Sequence, residues 1–445
     1  MKKAYLILAT SVLAAIGNYC KAQNDTIRVM AYNVLHFGDG CQGTQAFLDG
    51  QLKKIVSYTK SDLIGLDKMQ VIKLNNADPY GISPVWFADT VISQAMGSNF
   101  AYCTLTDLSQ ATDNDMSVLF YNKNKLTFQT VNTLYIGEED INLYKLYYND
   151  PNLSTSHDTT FLYAVLCHTI SGSSSTGRDG QATTVINALK GMFSHLPNVI
   201  YMGDFNTHNS TEPGYSLITQ TSDTNYLFYD PPFHPDNKLL YPIDWTTNPS
   251  QAAAELTTCT RAGNNPNTCG NNNGAYNWYD HILLSRDIIN NYNYIRYIPN
   301  SWKSLGNDGN RIAIDINDSS SIKNTSAPSS VINAEWQFSD KYPVTAALAV
   351  TYNTTTSVGS NKQQNQGSIK VNNPVKGEMT IYFASNMIGK MANMNLYDVC
   401  GRLVISTSFM VTNSQMNQNI NVTPGVYFLR TQIGGLVSTN KIVKE

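Results

Sequence analysis

The segment 199–206 ends an apolar run with two oxygen-bearing side chains. Gly203 interrupts the run, and Asp204 and Asn206 follow at alternate positions. Residues two apart in an extended chain point to the same side, so this carboxylate and this amide can converge on one ion or phosphate group. The pattern predicts a metal or phosphate site at a strand end, and a simple Asp/Asn turn is the alternative.

Four further apolar runs carry a polar side chain at one end. Asn33 and His168 each close a β-type run, whereas Asp280 and Asp340 each precede one. Ligand sites in α/β proteins form where strand ends meet at one edge of a sheet. We therefore expect all these polar groups to share one rim.

The order of these residues along positions 26–351 resembles the endonuclease/exonuclease/phosphatase superfamily, which includes deoxyribonuclease I, sphingomyelinases and inositol polyphosphate phosphatases. The resemblance implies a four-layer α/β sandwich, with two mixed sheets packed face to face and helices outside. Periodicity agrees, because apolar strand-like runs alternate with a helical pattern at 181–196. Such alternation favours the α/β class independently of the resemblance.

The resemblance also implies hydrolysis of phosphate esters with a divalent metal, Mg²⁺, and two histidines. Asn33 and Asn206 would hold the phosphate or the metal, and Asp204 would bind the metal or orient the attacking water. His168 would contact the phosphoryl group, and Asp340 would orient a base histidine.

Several supporting roles follow in the same way. Asp280 would help to hold the ring of polar groups together, and Asp107 or Asp113 would support the phosphoryl-contacting histidine. Arg178, near the start of the helical pattern, is a candidate phosphate contact, although an arginine in a loop is more often solvated.

Two positions depart from the superfamily pattern. Lys68 stands where the metal-binding glutamate is expected, and Lys341 stands where the general-base histidine is expected. A protonated lysine cannot ligate Mg²⁺, and with an ordinary pKa of about 10.4 it is a poor base at neutral pH. Asp67 would face the opposite side of a regular strand and could reach the site only through a bulge. Glu138 or Glu139 could supply a ligand from a loop.

Three functions are compatible with these changes. The first is an exported phosphodiesterase or nuclease-like hydrolase with an altered site. The second is a non-catalytic phosphate- or glycan-binding relative, in which Lys68 and Lys341 replace the metal charge and Lys68 pairs with Asp204. The third is a structural surface protein.

The N-terminal residues 1–22 have the pattern of a cleaved signal peptide. Lys2 and Lys3 precede an apolar stretch at 4–16, and small residues follow at the expected cleavage site. The stretch is too short for a membrane span, and no later segment approaches the required length. We therefore expect an exported, soluble product.

The C-terminal part is predicted to be a separate domain. Residues 352–367 are polar and low in apolar side chains, which predicts a linker. Residues 368–445 resemble the C-terminal sorting domain of the type IX secretion system, an immunoglobulin-like β-sandwich. The matching features are an Asn-Pro start, a Tyr-Asp-x-x-Gly-Arg turn, a Pro-Gly-Val-Tyr-Phe strand and a basic end. The resemblance implies interaction with the type IX machinery and delivery to the cell surface or medium.

Charge and cysteines restrict the choice of partners. The whole chain has a formal net charge of −3, and residues 23–351 alone carry −11. Nucleic-acid binding depends on basic surface, so a small phosphate ester is favoured over a polyanion.

The even number of cysteines after residue 22 permits disulfides in an exported protein. A Cys259–Cys269 bridge across a polar Asn/Gly-rich loop is the favoured pairing, and metal binding is the alternative.

Overall fold

A computed structural model describes most of the chain. The described residues are 23–70, 72, 82–106, 115–137, 139–156, 159–263, 269–320, 322–352, 369–399, 402–433 and 436–445. The chain divides into a compact unit Gln23–Tyr352 and a second unit that contains the C-terminal residues. The predicted signal peptide, nearly all of the predicted linker, and Asp107, Asp113 and Glu138 lie outside the described residues.

The first unit mixes strands and helices. Its strands are β1 (Gln23–Phe37), β2 (Leu63–Met69), β3 (Phe100–Tyr102), β4 (Met116–Asn122), β5 (Leu126–Tyr135), β6 (Ile141–Tyr148), β7 (Phe161–His168), β8 (Val199–Asp204), β9 (Phe228–Tyr229), β10 (Asp280–Ser285), β11 (Ile295–Tyr297), β12 (Lys303–Ser304) and β13 (Val344–Tyr352). Its α-helices are α1 (Gln45–Thr59), α2 (Pro84–Phe87), α3 (Gln94–Met96), α4 (Leu153–Ser156), α5 (Thr176–Met192), α6 (Pro213–Thr219), α7 (Arg286–Asn290) and α8 (Ser329–Phe338). A π-helical stretch, Ala88–Ser93, joins α2 to α3, and Pro249–Ala252 form a 3₁₀ turn. The predicted mixed α/β class is confirmed.

The strands form two sheets whose registers set the polar residues side by side. One sheet has the order β11-β13-β1-β2-β4-β3, with β12 also paired to β13, and the other has the order β5-β6-β7-β8-β10-β9. Parallel pairing of β7 with β8 sets His168 opposite Asp204. Antiparallel pairing of β10 with β8 sets Asp280 opposite the same Asp204. Three polar groups therefore meet at one edge of the second sheet.

The two sheets pack against each other with very little space between them. A Cβ added to Gly65 of β2 would lie 2.7 Å from Leu166 of β7 and 3.0 Å from Met202 of β8. On the opposite face of the first sheet, Tyr32 contacts Phe338 of α8 with 5.6 Å between ring centroids. A separate apolar cluster joins α5 to the outer face of the second sheet. The unit is thus layered helix, sheet, sheet, helix.

The helix predicted at 181–196 corresponds to α5, which begins and ends earlier. Its buried positions include Val185, Ile186 and Leu189, at the spacing of one helical face. Phe193 adopts an extended conformation and ends the helix, although its side chain still packs on the same apolar cluster. Apolar spacing alone could not locate that end, because an extended residue after a helix can contact the same core.

The second unit consists of antiparallel strands. They are β14 (Lys370–Val371), β15 (Glu378–Tyr382), β16 (Met391–Asp398), β17 (Leu403–Met410), β18 (Gln415–Asn419), β19 (Gly425–Ile433) and β20 (Leu436–Lys444). They form a sheet of order β14-β15-β18 and another of order β17-β16-β19-β20. Ile381 of the first sheet and Leu396 and Leu429 of the second belong to one core, which fits a β-sandwich.

Among the described residues of the whole chain, no helix is both long and apolar enough to cross a membrane.

Candidate functional site

A bulge in β2 changes the direction of the chain at the first unusual lysine. Between Leu66 and Met69 the pairing with β4 shifts register by one residue, and Lys68 has a positive φ of 57°. A residue other than glycine rarely adopts this conformation, and such positions concentrate at functional sites. Asp67 pairs with Asn33 in regular register and lies on the same face of β2 as Gly65, and its side chain is fully buried.

Asp204 lies at the centre of the rim. Its Oδ2 accepts a hydrogen bond from Asn33 Nδ2 at 2.9 Å, and its Oδ1 accepts one from the backbone N–H of Asn206 at 2.8 Å. The Asn206 side chain donates to the Thr169 carbonyl at 2.8 Å. The structure therefore brings Asn33, Asp204 and Asn206 together. The hydrogen bonds among these three residues occupy both carboxylate oxygens of Asp204.

Two further carboxyl groups lie buried near this centre. The oxygens of Asp67 have no hydrogen-bond partner among the described residues, and Asp280 is fully buried. Burial and the negative charges of Glu139 and Asp204 raise the pKa of Asp67 well above its ordinary value. Burial and the charge of Asp204 likewise raise the pKa of Asp280. Mutual repulsion and loss of water thus favour protonation of these two groups.

His168 is held by a buried glutamate. Its Nδ1 contacts Glu139 Oε1, while Ser117 Oγ and the Lys68 backbone N–H donate to Glu139 Oε2 at 2.8 and 3.2 Å. Burial would lower the pKa of His168, but the charge and hydrogen bond of Glu139 outweigh it and raise that pKa. Burial would raise the pKa of Glu139, yet His168, Ser117 and Lys68 N–H lower it. The pair therefore favours an imidazolium beside a carboxylate, with the His168 Nε2 buried and without a partner.

This contact gives Glu139 a different role from the predicted one. Glu139 was expected as a possible metal ligand from a loop, and support of His168 was expected from Asp107 or Asp113. In the structure Glu139 itself supports His168. Sequence reasoning missed this because residue 139 precedes β6 and becomes a neighbour of His168 only through sheet pairing.

Lys68 is paired with a histidine that sequence reasoning missed. Its Nζ lies 3.2 Å from His36 Nε2, and His36 Nδ1 lies 2.6 Å from Asp115 Oδ2. The predicted Lys68–Asp204 pair is therefore replaced by a Lys68–His36 contact. The available signal was the position of His36, three residues after Asn33 at the end of the same strand.

Lys341 is held tightly by its neighbour Asp340. Its Nζ lies 3.5 Å from Asp340 Oδ1, and Asp340 Oδ2 accepts two hydrogen bonds from Asn271 at 2.8 and 2.9 Å. Burial would lower the pKa of Lys341, but the charges of Asp340, Asp204 and Asp280 outweigh it and raise that pKa. Burial would raise the pKa of Asp340, but Lys341 and Asn271 hold it below its ordinary value. Lys341 is thus a fixed cation and cannot serve as a base.

A cavity of about 440 Å³ lies beside this rim. Lys68, His168 and Glu139 line it together with Tyr135 and Gln181, among others. Lys341 is not one of its lining residues, so the two lysines predicted to form one phosphate seat do not line this cavity together. The volume is within the range of small-molecule sites.

Arg178 is not available for a phosphate. It is buried, and its Nε and Nη2 donate to the two carboxylate oxygens of Glu212 at 3.0 and 2.9 Å. A third nitrogen, Nη1, donates to the Gly172 carbonyl at 2.8 Å. The predicted phosphate contact is wrong, because a bidentate pair of this kind occupies the guanidinium and fixes the start of α5 against the following loop.

The disulfide differs from the predicted one. Cys269 is bonded to Cys41, with 6.0 Å between their Cα atoms, and Cys259 is a buried free thiol. The Cys259 thiol donates to the Asn271 carbonyl at 2.8 Å. The Cys259–Cys269 prediction failed because it considered only the loop between the two cysteines, whereas folding brings the turn after β1 to that loop.

The residues present do not fit the divalent metal that the family resemblance implies. The resemblance places a ligand glutamate at the position that Lys68 occupies, and both oxygens of Asp204 already accept hydrogen bonds. No group of three or more His, Cys, Asp or Glu side chains in the described part of the chain is placed to hold a metal ion. The chemistry proposed below therefore uses the side chains alone.

Comparison with protein families identifies the end of the chain. Residues 373–445 match the model of the secretion system C-terminal sorting domain. This match confirms the resemblance found from the sequence in this part of the chain, and it implies export of the protein. Comparison with curated proteins finds no match.

Several solved structures are similar to the chain at low identity. The human Nocturnin catalytic domain with bound sulfate is 13% identical, with 74% of this chain and 98% of that chain covered and a TM-score of 0.44. An endonuclease/exonuclease/phosphatase family protein from Bacteroides thetaiotaomicron is 12% identical, with coverages of 74% and 100% and a TM-score of 0.43. A mannosyl-6-phosphatase from the same species is 12% identical, with coverages of 72% and 99% and a TM-score of 0.42. One of the three carries the name of the superfamily that the sequence resembles.

Proposed function

We propose that the unit Gln23–Tyr352 is an exported hydrolase of phosphate esters, related to the endonuclease/exonuclease/phosphatase superfamily and secreted through the type IX system. The observation that carries the proposal is the imidazole of His168. A buried carboxylate, Glu139, holds its Nδ1, its Nε2 is buried without a partner, and the residue lines a cavity together with Lys68. A carboxylate-held imidazole of this kind is the usual form of a general acid or base.

The rim supplies the functions that hydrolysis needs. Lys68 neutralises charge on the phosphoryl oxygens, and protonated His168 donates its Nε2 proton to an oxygen of the ester. Glu139 stabilises the imidazolium and fixes its orientation. The attacking water gives its proton to the released phosphate. Asp204, held by Asn33 and Asn206, supports the rim and does not line the cavity.

We propose a small phosphate ester as the substrate rather than a nucleic acid. Residues 23–351 carry a net charge of −11, which repels a polyanion except where local cations compensate. The cavity of about 440 Å³ accommodates a small molecule. The cations at the rim would then act only on the phosphate group itself.

Hydrolysis of chromogenic phosphate esters by the secreted chain, with and without a chelator, tests the proposal. We expect turnover by the unmodified protein and a loss of about 10²-fold or more for His168→Ala. His195→Ala is the matched control, because His195 is a part-exposed histidine paired with Asp287 rather than with a rim residue. Absence of turnover for monoesters and diesters alike would refute the hydrolase.

Lys341 favours a second candidate, a non-catalytic phosphate- or glycan-binding protein. This lysine stands where the family has its base histidine, and Asp340 keeps it charged. If the protein shows no turnover but phosphate raises its melting temperature, the binding function is correct. If neither turnover nor a shift is seen, a structural surface role remains.

A further inference from the structure

His36 and Asp115 belong to no role assigned so far, yet they fix the lysine at the bulge. Asp115 is 3% exposed, and its Oδ2 lies 2.6 Å from His36 Nδ1. A carboxylate only accepts hydrogen bonds, so Nδ1 donates to Asp115, and an ammonium only donates, so Nε2 faces a donor. Lys68 Nζ, 3.2 Å away, is therefore the donor to Nε2. The chain Asp115–His36–Lys68 thus uses one of the three ammonium hydrogens.

His168 has a similar arrangement on the same cavity. Its Nδ1 is held by Glu139, and its Nε2 is buried without a partner. Lys68 joins the two arrangements, since its backbone N–H donates to Glu139 Oε2 at 3.2 Å. Lys68 and His168 are thus two cationic donors that line one cavity of about 440 Å³. Buried Glu139 orients His168 directly, and buried Asp115 orients Lys68 through His36.

We propose that His36 is the positioning residue for Lys68, and that Lys68 and His168 together bind the terminal phosphate of a small phosphomonoester. Two cations match the charge of a phosphate dianion, whereas a diester carries a single charge and presents fewer free oxygens. Binding of the dianion adds hydrogen bonds to the remaining N–H groups of Lys68 and to Nε2–H of His168. This inference rests on the proposed phosphate chemistry and names its ligand class.

Substitutions of His36 separate this role from a structural one. Glutamine places an oxygen near the position of Nε2 and retains the acceptor for Lys68. Asparagine places an amide near the position of Nδ1 and retains the donor to Asp115. We expect His36→Gln to keep phosphate affinity within about threefold, and His36→Asn and His36→Ala to lose about tenfold or more.

The test is calorimetric titration of the secreted chain with inorganic phosphate and with phenyl phosphate at pH about 8, above the second phosphate pKa near 6. Lys68→Ala should lose about tenfold or more, and diphenyl phosphate should bind about tenfold more weakly than phenyl phosphate to the unmodified protein. Lys123→Ala is the control, because Lys123 is exposed and distant in the fold at the turn after β4. Thermal melting of each variant shows that it is folded.

The possible outcomes are distinct. If His36→Asn binds phosphate like the unmodified protein and His36→Gln does not, His36 serves only to hold Asp115 and the proposal is wrong. Unchanged binding by Lys68→Ala, or equal affinity for the monoester and the diester, also overturns it. Phosphate binding without turnover refutes the hydrolase alone, whereas turnover insensitive to His36→Ala refutes this inference alone.

Discussion

At the scale of residues, the rim combines charged pairs with carboxyl groups that have no partner. His168 and Lys68 are each oriented by a neighbouring side chain, and those neighbours are fixed by buried hydrogen bonds. Asp67, by contrast, is buried without a hydrogen bond. Oriented pairs preserve geometry for binding, while the unpaired acid destabilises the folded state.

Glu139→Gln tests the orientation of His168. The amide removes the charge that raises the pKa of His168, so that pKa falls and the protonated imidazole is lost at a lower pH. We expect hydrolysis to decrease by about 10²-fold, and its alkaline limb to move to lower pH. Ser117→Ala, which removes one hydrogen bond to the same carboxylate, should reduce the rate less and leave the limb in place. A pH–rate profile unchanged in Glu139→Gln would contradict this role.

Asp67→Asn tests the cost of the unpaired acid. The folded-state pKa of Asp67 is raised above its unfolded value near 3.9, so the folded protein holds this proton more strongly. Stability contributed by Asp67 is then present at low pH and falls as pH rises towards the folded-state pKa. We expect Asp67→Asn to be more stable than the unmodified protein at pH 8 by about 1–3 kcal/mol, with a smaller difference near pH 4.

Urea unfolding at the two pH values measures this difference. Asp89→Asn is the control, because Asp89 is exposed. Destabilisation by Asp67→Asn at pH 8 would show instead that Asp67 is ionised and paired with a cation in the folded protein.

At the scale of elements, the loop that carries Asn271 is fixed from two sides. The bond between Cys41 and Cys269 joins it to the turn after β1, and Asn271 donates twice to Asp340. Gly270 lies against the same carboxyl group, since an added Cβ would be 3.0 Å from Asp340 Cβ. The disulfide therefore connects the turn after β1 to the loop that holds Asp340.

Removal of this disulfide is expected to lower stability. The cysteines are 228 positions apart, so the bond greatly restricts the unfolded chain. Cys41→Ala and Cys269→Ala should each reduce the free energy of unfolding by about 2–4 kcal/mol, and the double variant should lose no more than either one. Peptide mapping without reduction should yield a Cys41–Cys269 peptide, also in Cys259→Ala. Recovery of a Cys259–Cys269 peptide from the unmodified protein would contradict the structure.

At the scale of the whole molecule, the two units have separate cores. The cores of Gln23–Tyr352 and of the C-terminal unit share no residues. The C-terminal unit contains the matched sorting domain, 373–445. The core of Gln23–Tyr352 and the sorting domain are therefore encoded by different parts of the sequence.

Truncation after Tyr352 tests this division. The shortened protein should fold, because its core is complete, and it should remain inside the outer membrane, because the sorting domain is missing. Cell fractionation measures the location of the shortened protein. The control is the same gene with the C-terminal residues restored. Surface or medium levels equal to those of the full chain would contradict the sorting role.

Features that depend on neighbours along the chain could be predicted from the amino-acid sequence. Apolar runs ending in His168 and Asp204 indicated strand ends, whereas the strand predicted to close at Asn33 continues to Phe37. Alternation with a helical pattern indicated the α/β class. The motifs of the C-terminal part sufficed to recognise a sorting domain. Each of these signals is a local pattern of polarity and turn residues, which a linear chain displays directly.

The pairs of side chains that meet at the rim are set by the folded arrangement of the strands. Lys68 contacts His36 rather than Asp204, and it lies at a bulge where the pairing of β2 with β4 shifts by one residue. Glu139 and Cys41 acquire their partners across sheets and loops that are far apart in sequence. Such contacts depend on strand register to within one residue, and a shift of one residue exchanges the two faces of a strand. No local pattern encodes that register, so the chemistry of the rim follows from the packing of the two sheets.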